Sequence, residues 1–212
     1  FNLGVIFDVN ELVTVGASYE SKQEFSDLEY QLARGDISDA QQGFVAPAGT
    51  YKLDLDFPQQ AALGVAFRPN DTVTVSADLK WIDWSDTMDK LAVKGPNGIE
   101  VAMDPGWDDQ TVYAVGVSWN VTPKAVLRAG YNYAESPFDS ENVSRNLILP
   151  GVVESHYTLG GDYQVNNRWD VGFHYMHVPE VSFRAPADDP MAPNAEIGLS
   201  ESSIGANIGY RF

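Results

Sequence analysis

Apolar and polar residues alternate with a period of two through most of this chain. In the last eleven residues, apolar side chains at every second position from Ile204 alternate with small, polar or charged ones. Such a segment is typical of a β-strand whose two faces meet different environments. Pro58 marks a bulge or an interruption in the third such segment. The pattern predicts nine strands, at about 1–9, 12–22, 51–69, 72–81, 110–120, 125–133, 156–165, 168–178 and 202–212.

The connections between these strands alternate in length. Short ones lie at 10–11, 69–71, 122–124 and 166–167, and long ones lie at about 22–50, 84–110, 134–154 and 178–202. A soluble β-sandwich has no reason to sort its loops in this way, whereas an outer-membrane barrel has tight periplasmic turns and longer extracellular loops. The sequence therefore predicts an all-β fold, a transmembrane antiparallel β-barrel in the bacterial outer membrane.

The two faces of the predicted strands support this interpretation. One face carries aliphatic residues, with aromatic residues towards both strand ends, as in the girdles at membrane interfaces. The aromatic residues near the short turns are Phe67, Trp119, Tyr163, Trp169 and Phe212, and those near the long loops are Tyr19, Trp81, Tyr133 and Tyr175. The other face suits a wet lumen and carries Asp78, Lys80, Arg128, Asn132, Asp162, Asp170, His174, Asn207 and Arg211.

The predicted number of strands is odd. Bacterial barrels generally have an even number, and unpaired strand edges are not tolerated in lipid. We therefore expect residues 1–212 to be the C-terminal part of a single larger barrel domain, with an odd number of strands outside them.

Composition excludes several other classes of protein. The net charge of −17 opposes nucleic-acid binding, which depends on basic residues. The absence of cysteine excludes disulfide scaffolds and cysteine metal sites. No apolar run reaches the roughly 18 residues of a membrane-spanning helix. The acidic residues of the loops match no calcium-loop spacing, so neither a metal nor a cofactor is expected.

Catalysis is also not expected. A nucleophile needs a base close to it, and the chain has three histidines, His156, His174 and His177. His174 and Asp170 share a face but lie about 13 Å apart along one strand. We therefore predict that the chain is not an enzyme.

Several segments resemble the FadL/TodX (OmpP1/FadL) outer-membrane transporters of long-chain fatty acids and other hydrophobic compounds. They are VTVGASYESK (13–22), DFPQQAALGVAFRPNDTVTVSADLKWIDWSD (56–86), LRAGYNYAESP (127–137), GGDYQVNNRWDVGFHYMH (160–177) and GANIGYRF (205–212). The Lys-Trp-Ile-Asp-Trp-Ser run at 80–85 is the most specific part of the resemblance.

The resemblance implies a fourteen-stranded barrel with an N-terminal plug, of which this chain would hold the last nine strands and lack the plug. It implies that a hydrophobic small molecule, such as a fatty acid or a detergent-like compound, is caught in an outer apolar groove. The ligand then enters a pocket in the barrel and leaves sideways. The implied partners are this ligand, outer-membrane lipid and lipopolysaccharide, and the N-terminal remainder of the barrel.

Two groups of candidate ligand-binding residues follow from the resemblance. The 22–50 loop would help to form the outer groove through Phe25, Leu28, Leu32, Phe44 and Val45. The spacing of Phe25, Leu28 and Leu32 also fits one amphipathic helical turn in a solvated loop. Lys80 and Arg128 are candidates for contacts to a ligand carboxylate, and the alternative is that both pair with Asp78, Asp162 or Asp170 on the lumen wall. A general porin and a purely structural barrel are the alternative functions.

Overall fold

Nine antiparallel strands form the main sheet of this computed structural model, which describes residues 1–36, 38–39 and 44–212. The elements in chain order are β1 (Asn2–Asp8), β2 (Val13–Glu20), β3 (Leu28–Leu32), β4 (Ser38–Asp39), β5 (Phe44–Val45), β6 (Gly49–Leu53), β7 (Gln60–Asn70), β8 (Val73–Ile82), α1 (Ser85–Met88), β9 (Ala92–Lys94), a 3₁₀ turn (Pro96–Gly98), β10 (Glu100–Ala102), β11 (Gln110–Thr122), β12 (Ala125–Tyr133), a 3₁₀ turn (Ser140–Arg145), β13 (Ser155–Gln164), β14 (Trp169–Arg184) and β15 (Glu196–Tyr210).

The main sheet runs β1-β2-β7-β8-β11-β12-β13-β14-β15, so each of its strands pairs with its neighbours along the chain. This is the up-and-down order of a barrel wall. The sheet is open, with β1 and β15 at its edges. The prediction of nine strands is confirmed.

Asparagine side chains close three of the four short turns in the same way. Asn10, Asn70 and Asn166 each accept hydrogen bonds at Oδ1 from the backbone N–H groups two and three residues later, at 2.8 to 3.1 Å. This side-chain cap satisfies donors that a tight turn would otherwise leave free. In the remaining short turn, at 122–124, the Thr122 hydroxyl accepts a hydrogen bond from the Lys124 N–H at 3.2 Å.

Cross-strand register collects the apolar residues on one face. Val75 pairs with Val117, Val117 pairs with Ala129, and Leu127 pairs with Gly161 on the same side. The large side chains of this face are exposed, and Ile204 is 84% exposed. Such a continuous exposed apolar surface fits contact with lipid.

Aromatic residues mark both ends of this face. Trp169 and Tyr210 lie 4.7 Å apart near the short turns, and Phe1 and Tyr19 lie 5.8 Å apart near the long connections. Within the described residues, no helix is long and apolar enough to cross a membrane.

The first two long connections contain a second sheet that the sequence did not predict. It runs β10-β9-β6-β3 and joins the 21–59 connection to the 83–109 connection through the β6–β9 pair. The helical turn considered for Phe25, Leu28 and Leu32 is wrong, because Leu28–Leu32 is a strand paired with Gly49–Leu53. Residues 95–98 form the tip of the hairpin that links β9 and β10.

Two predicted strand boundaries are also wrong. The segment 51–69 forms two strands in different sheets, because the chain leaves the second sheet after Leu53 and enters the main sheet at Gln60. The fourth long connection is shorter than the predicted 178–202, because β14 and β15 continue past the wall as a long hairpin. Pro179 has no N–H to donate, and the register shift between Val178 and Val181 accommodates it.

A small apolar core packs against this hairpin extension. Its buried members come from the third long connection and from the hairpin, and they are Phe138, Val143, Val152, Ala185 and Ile197. Trp107 from the second long connection packs against them. The long connections on this side therefore form an ordered cover rather than separate solvated loops.

Candidate functional site

The polar face of the main sheet, predicted to face the lumen, carries a concavity of about 600 Å³. Five strands from β11 to β15, together with β8, contribute residues to it. Small side chains dominate its centre, where Ser76, Gly116, Gly130 and Thr158 follow one another across four strands. A wall of small residues leaves space for a ligand instead of filling it with side chains.

Larger polar side chains on this face lie flat across glycines of the next strand. A β-carbon added at Gly205 would collide with the His174 ring, and one added at Gly64 would collide with the Asp78 carboxylate. Each of these glycines is the direct cross-strand partner of the side chain that covers it. The polar groups are therefore held against the wall, which keeps them out of the passage.

Arg128 is paired. Its Nη1 donates to Oδ2 of Asp162 on the neighbouring strand, and both side chains are about half exposed. This is the alternative that the sequence left open, a structural ion pair of the wall. An exposed pair of this kind stabilises a protein by only about 0.2–1 kcal/mol, so its main effect is to neutralise the guanidinium.

Lys80 has different surroundings. It is half-buried on β8, and its cross-strand neighbours are Ala62 on β7 and Val112 on β11, neither of which carries a charge. The structure does not bring Lys80 and Arg128 together as cross-strand neighbours. A contact of either residue with a ligand stays a prediction.

The predicted groove residues lie in the long connections. Phe25 is 51% exposed and Leu28 is also exposed at the start of β3, whereas Leu32 is half-buried at its end. Val45 is exposed in β5. The backbone of Phe44 lies in the same strand, but its side chain lies outside the described residues. Whether these residues form a groove stays a prediction.

One residue missed from the sequence completes an exposed aromatic pair. Phe57 is 52% exposed, and its ring meets that of Phe25 edge-to-face at 5.5 Å between centroids. Hydrogen bonds between the backbones of Gln23 and Phe57 hold the two segments together. Phe57 lies next to Pro58, which interrupts the predicted strand 51–69, and this interruption was the available signal.

An ion pair joins the 21–59 connection, which carries this aromatic pair, to the 83–109 connection. Lys22 lies 3.5 Å from Asp56 and 3.0 Å from Asp86. The pKa of Lys22 is raised above 10.5, mainly by the hydrogen bond to Asp86. Lys22 therefore stays charged at neutral pH and links the 21–59 connection to the 83–109 connection.

Within the described residues, His177 has one hydroxyl neighbour. His177 Nδ1 lies 3.1 Å from the Ser202 hydroxyl, on the apolar outer face. A catalytic base also needs a group that orients it, and within the described residues no carboxylate hydrogen bonds to His177.

Asp189 ties the fourth long connection to the third, and this tie is expected to depend on pH. The pKa of Asp189 lies below 3.8, because the backbone N–H groups of Ala192 and Met191 and the Ser144 hydroxyl donate to its carboxylate. A depressed pKa means that the stabilisation is complete above about pH 3.8 and is lost as the pH falls further. Hydrogen-exchange protection of the Met191 and Ala192 amides should therefore fall below that pH.

The variant Asp189→Asn is the control for this prediction. Its amide oxygen still accepts hydrogen bonds but does not titrate, so protection should not change between pH 5 and pH 3. The same pH dependence in both proteins would contradict the role of Asp189.

Comparison with known proteins gives one consistent family. A sequence model of the outer membrane protein transport protein family (OMPP1/FadL/TodX) matches residues 1–212. The chain is 24% identical over 224 residues to the 47 kDa outer membrane protein of Pasteurella multocida, covering 100% of this chain and 50% of that protein. It is 24% identical to outer membrane protein P1 of Haemophilus influenzae, covering 87% of this chain and 39% of that protein.

Solved structures agree with this match. The toluene transporter TodX of P. putida superposes with a TM-score of 0.69 at 27% identity, covering 99% of this chain and 47% of TodX. A Pseudomonas aeruginosa FadL homologue has a TM-score of 0.69 at 20% identity, covering 98% of this chain and 50% of the homologue, and this similarity concerns the fold alone. The chain spans about half the length of these relatives at most.

Proposed function

Because the chain belongs to the OMPP1/FadL/TodX family of outer membrane transport proteins, we propose that it forms wall and outer loops of a channel for hydrophobic compounds. Like its relatives, it is an outer-membrane protein. Long-chain fatty acids are the foremost proposed cargo. The ligand is captured at the extracellular loops, passes into the barrel and is released sideways into the membrane.

The exposed pair of Phe25 and Phe57 is the single observation that carries this proposal. Two aromatic rings that are each about half exposed, in contact with one another on a loop, offer an apolar surface to a ligand. Leu28, at the start of the adjacent strand β3, extends the apolar character of this segment. Capture begins at this surface.

Passage along the wall is supported by the small and flat-lying side chains of the polar face. The concavity of about 600 Å³ has the size of typical ligand pockets. A carboxylate passing the wall finds Lys80, whose cross-strand neighbours are uncharged. Arg128 contributes less, since Asp162 already accepts its hydrogen bond.

The proposed partners follow from the two faces and the two edges. The exposed apolar face contacts outer-membrane lipid, with lipopolysaccharide around the outer loops. The edge strands β1 and β15 pair with the remainder of the barrel, because unpaired backbone groups are costly in lipid.

Replacing Phe25 and Phe57 together by serine tests the proposal. The dissociation constant of the intact protein for oleate should rise at least fivefold, because a lost aromatic contact costs about 1.5–3 kcal/mol at full burial. Tryptophan fluorescence titration or calorimetry in a non-ionic detergent measures this change.

Met191→Ser provides the matched control, since Met191 is 69% exposed on a different long connection. Oleate affinity should stay the same in this variant. Equal affinity in all three proteins, together with large steady conductance in planar bilayers, would favour a general porin instead.

A further inference from the structure

Gly172 on β14 lies where two polar side chains from neighbouring strands converge. Its direct cross-strand partners are Asp162 on β13 and Asn207 on β15. A β-carbon at Gly172 would lie 2.5 Å from Oδ1 of Asp162 and would also collide with Oδ1 of Asn207. Both side chains therefore occupy space that any other residue at this position would fill.

The second carboxylate oxygen of Asp162 makes the ion pair of the wall. Arg128 on β12 is the direct partner of Gly160, and its guanidinium reaches diagonally to Oδ2 of Asp162, two residues further along β13. Because Gly172 has no side chain, the Asp162 carboxylate has space to lie close to β14.

We infer that Gly172 is a positioning residue that sets the charge of the lumen wall by holding Asp162 against Arg128. With the pair in place, the guanidinium is neutralised and does not retain an anionic ligand. A side chain at position 172 moves the carboxylate away from the wall and leaves Arg128 free to bind an anion. The consequence for cargo rests on the proposed function, whereas the ion-pair geometry does not.

The fold tolerates a methyl group at position 172. The atoms that it would meet are the ends of two flexible side chains, which are able to rotate away. Gly161 differs, because a β-carbon there would lie 2.8 Å from the backbone oxygen of Val126. Gly172→Ala is therefore suited to a binding test.

The test compares dodecanoate and dodecanol as probes for the intact protein. In Gly172→Ala, the ratio of dodecanoate affinity to dodecanol affinity should rise by up to about fivefold, the range of one exposed charge pair. Asp162→Asn should produce a similar rise. The rise should vanish in the double variant Gly172→Ala/Arg128→Gln, because the freed guanidinium is its cause.

Gly16→Ala is the matched control. Gly16 lies on β2, on the polar face of the main sheet like Gly172, and an added β-carbon there would meet only ordinary contacts at 3.6 Å or more. Its affinity ratio should equal that of the wild type. An unchanged ratio in Gly172→Ala beside a raised ratio in Asp162→Asn overturns the inference. A rise that persists without Arg128 also overturns it.

Thermal unfolding in detergent separates this inference from the proposed function. If Gly172 positions the pair, Arg128→Gln should lower Tm less in the Gly172→Ala background than in the wild type. Equal losses of Tm in both backgrounds contradict the inference, whether or not the wild type binds the probes. If the wild type binds neither dodecanoate nor dodecanol, that separate result refutes hydrophobic uptake.

Discussion

Replacing Val115 by arginine is expected to destabilise the folded protein by about 2–4 kcal/mol. Val115 lies midway along β11, between Ala77 on β8 and Tyr131 on β12, and is 54% exposed on the apolar face. If this face meets the hydrocarbon core, a guanidinium there loses its hydration and finds no partner. Urea unfolding of the intact protein in lipid vesicles measures the loss.

The neighbouring residue on the same strand supplies the control. Ala114 lies on the polar face between Asp78 and Asn132. An arginine at this position stays hydrated and lies next to a carboxylate, so Ala114→Arg should change the free energy of unfolding by no more than about 1 kcal/mol. Similar losses for both variants would contradict the assignment of the faces.

The main sheet was predictable from the sequence because its signals are local. Strict alternation identifies each wall strand, and the asparagines at positions 10, 70 and 166 close turns through their own side chains. Antiparallel neighbours along the chain then fix the strand order. The register places Val75, Val117 and Ala129 on one face without any non-local information.

The outer cover was not predictable in the same way. The strand Leu28–Leu32 is short, and its apolar spacing also fits a helical turn, so only its pairing with β6 decides its conformation. The contact between β6 and β9 joins two connections that are separated in sequence by the β7–β8 hairpin. Such non-local pairing leaves no local periodicity to detect.

The candidate site falls between these two cases. The sequence correctly placed Arg128 and Asp162 on one face, but it left open whether Arg128 is paired. Gly172 bears on this matter, since it provides the space in which the Asp162 carboxylate lies. Strand alternation shows which face a residue occupies but not which way its side chain lies across the neighbouring strand.

Removing the Trp107 side chain is expected to open the outer cover at a cost of about 3–5 kcal/mol. The Trp107 ring stacks on Phe138 at 6.0 Å and meets Trp84 edge-on at 5.0 Å. Its Nε1–H donates to Oδ1 of the fully buried Asn146 at 2.7 Å. In Trp107→Ala, both the packing and this bond are lost, and a buried amide oxygen is left without its donor.

The effect should be confined to the cover, because the strands of the main sheet pair with one another independently of it. Native-state hydrogen exchange should show faster exchange across 134–154 and unchanged protection in β11 and β12.

Trp107→Phe keeps most of the packing and removes only the hydrogen bond, so it should cost about 1–3 kcal/mol. Trp119→Ala removes an outward aromatic side chain near the short turns and should leave exchange in 134–154 unchanged. If Trp107→Ala instead lowers protection of cover and wall equally, the cover is not a separate cooperative unit and the channel cannot open there without unfolding its wall.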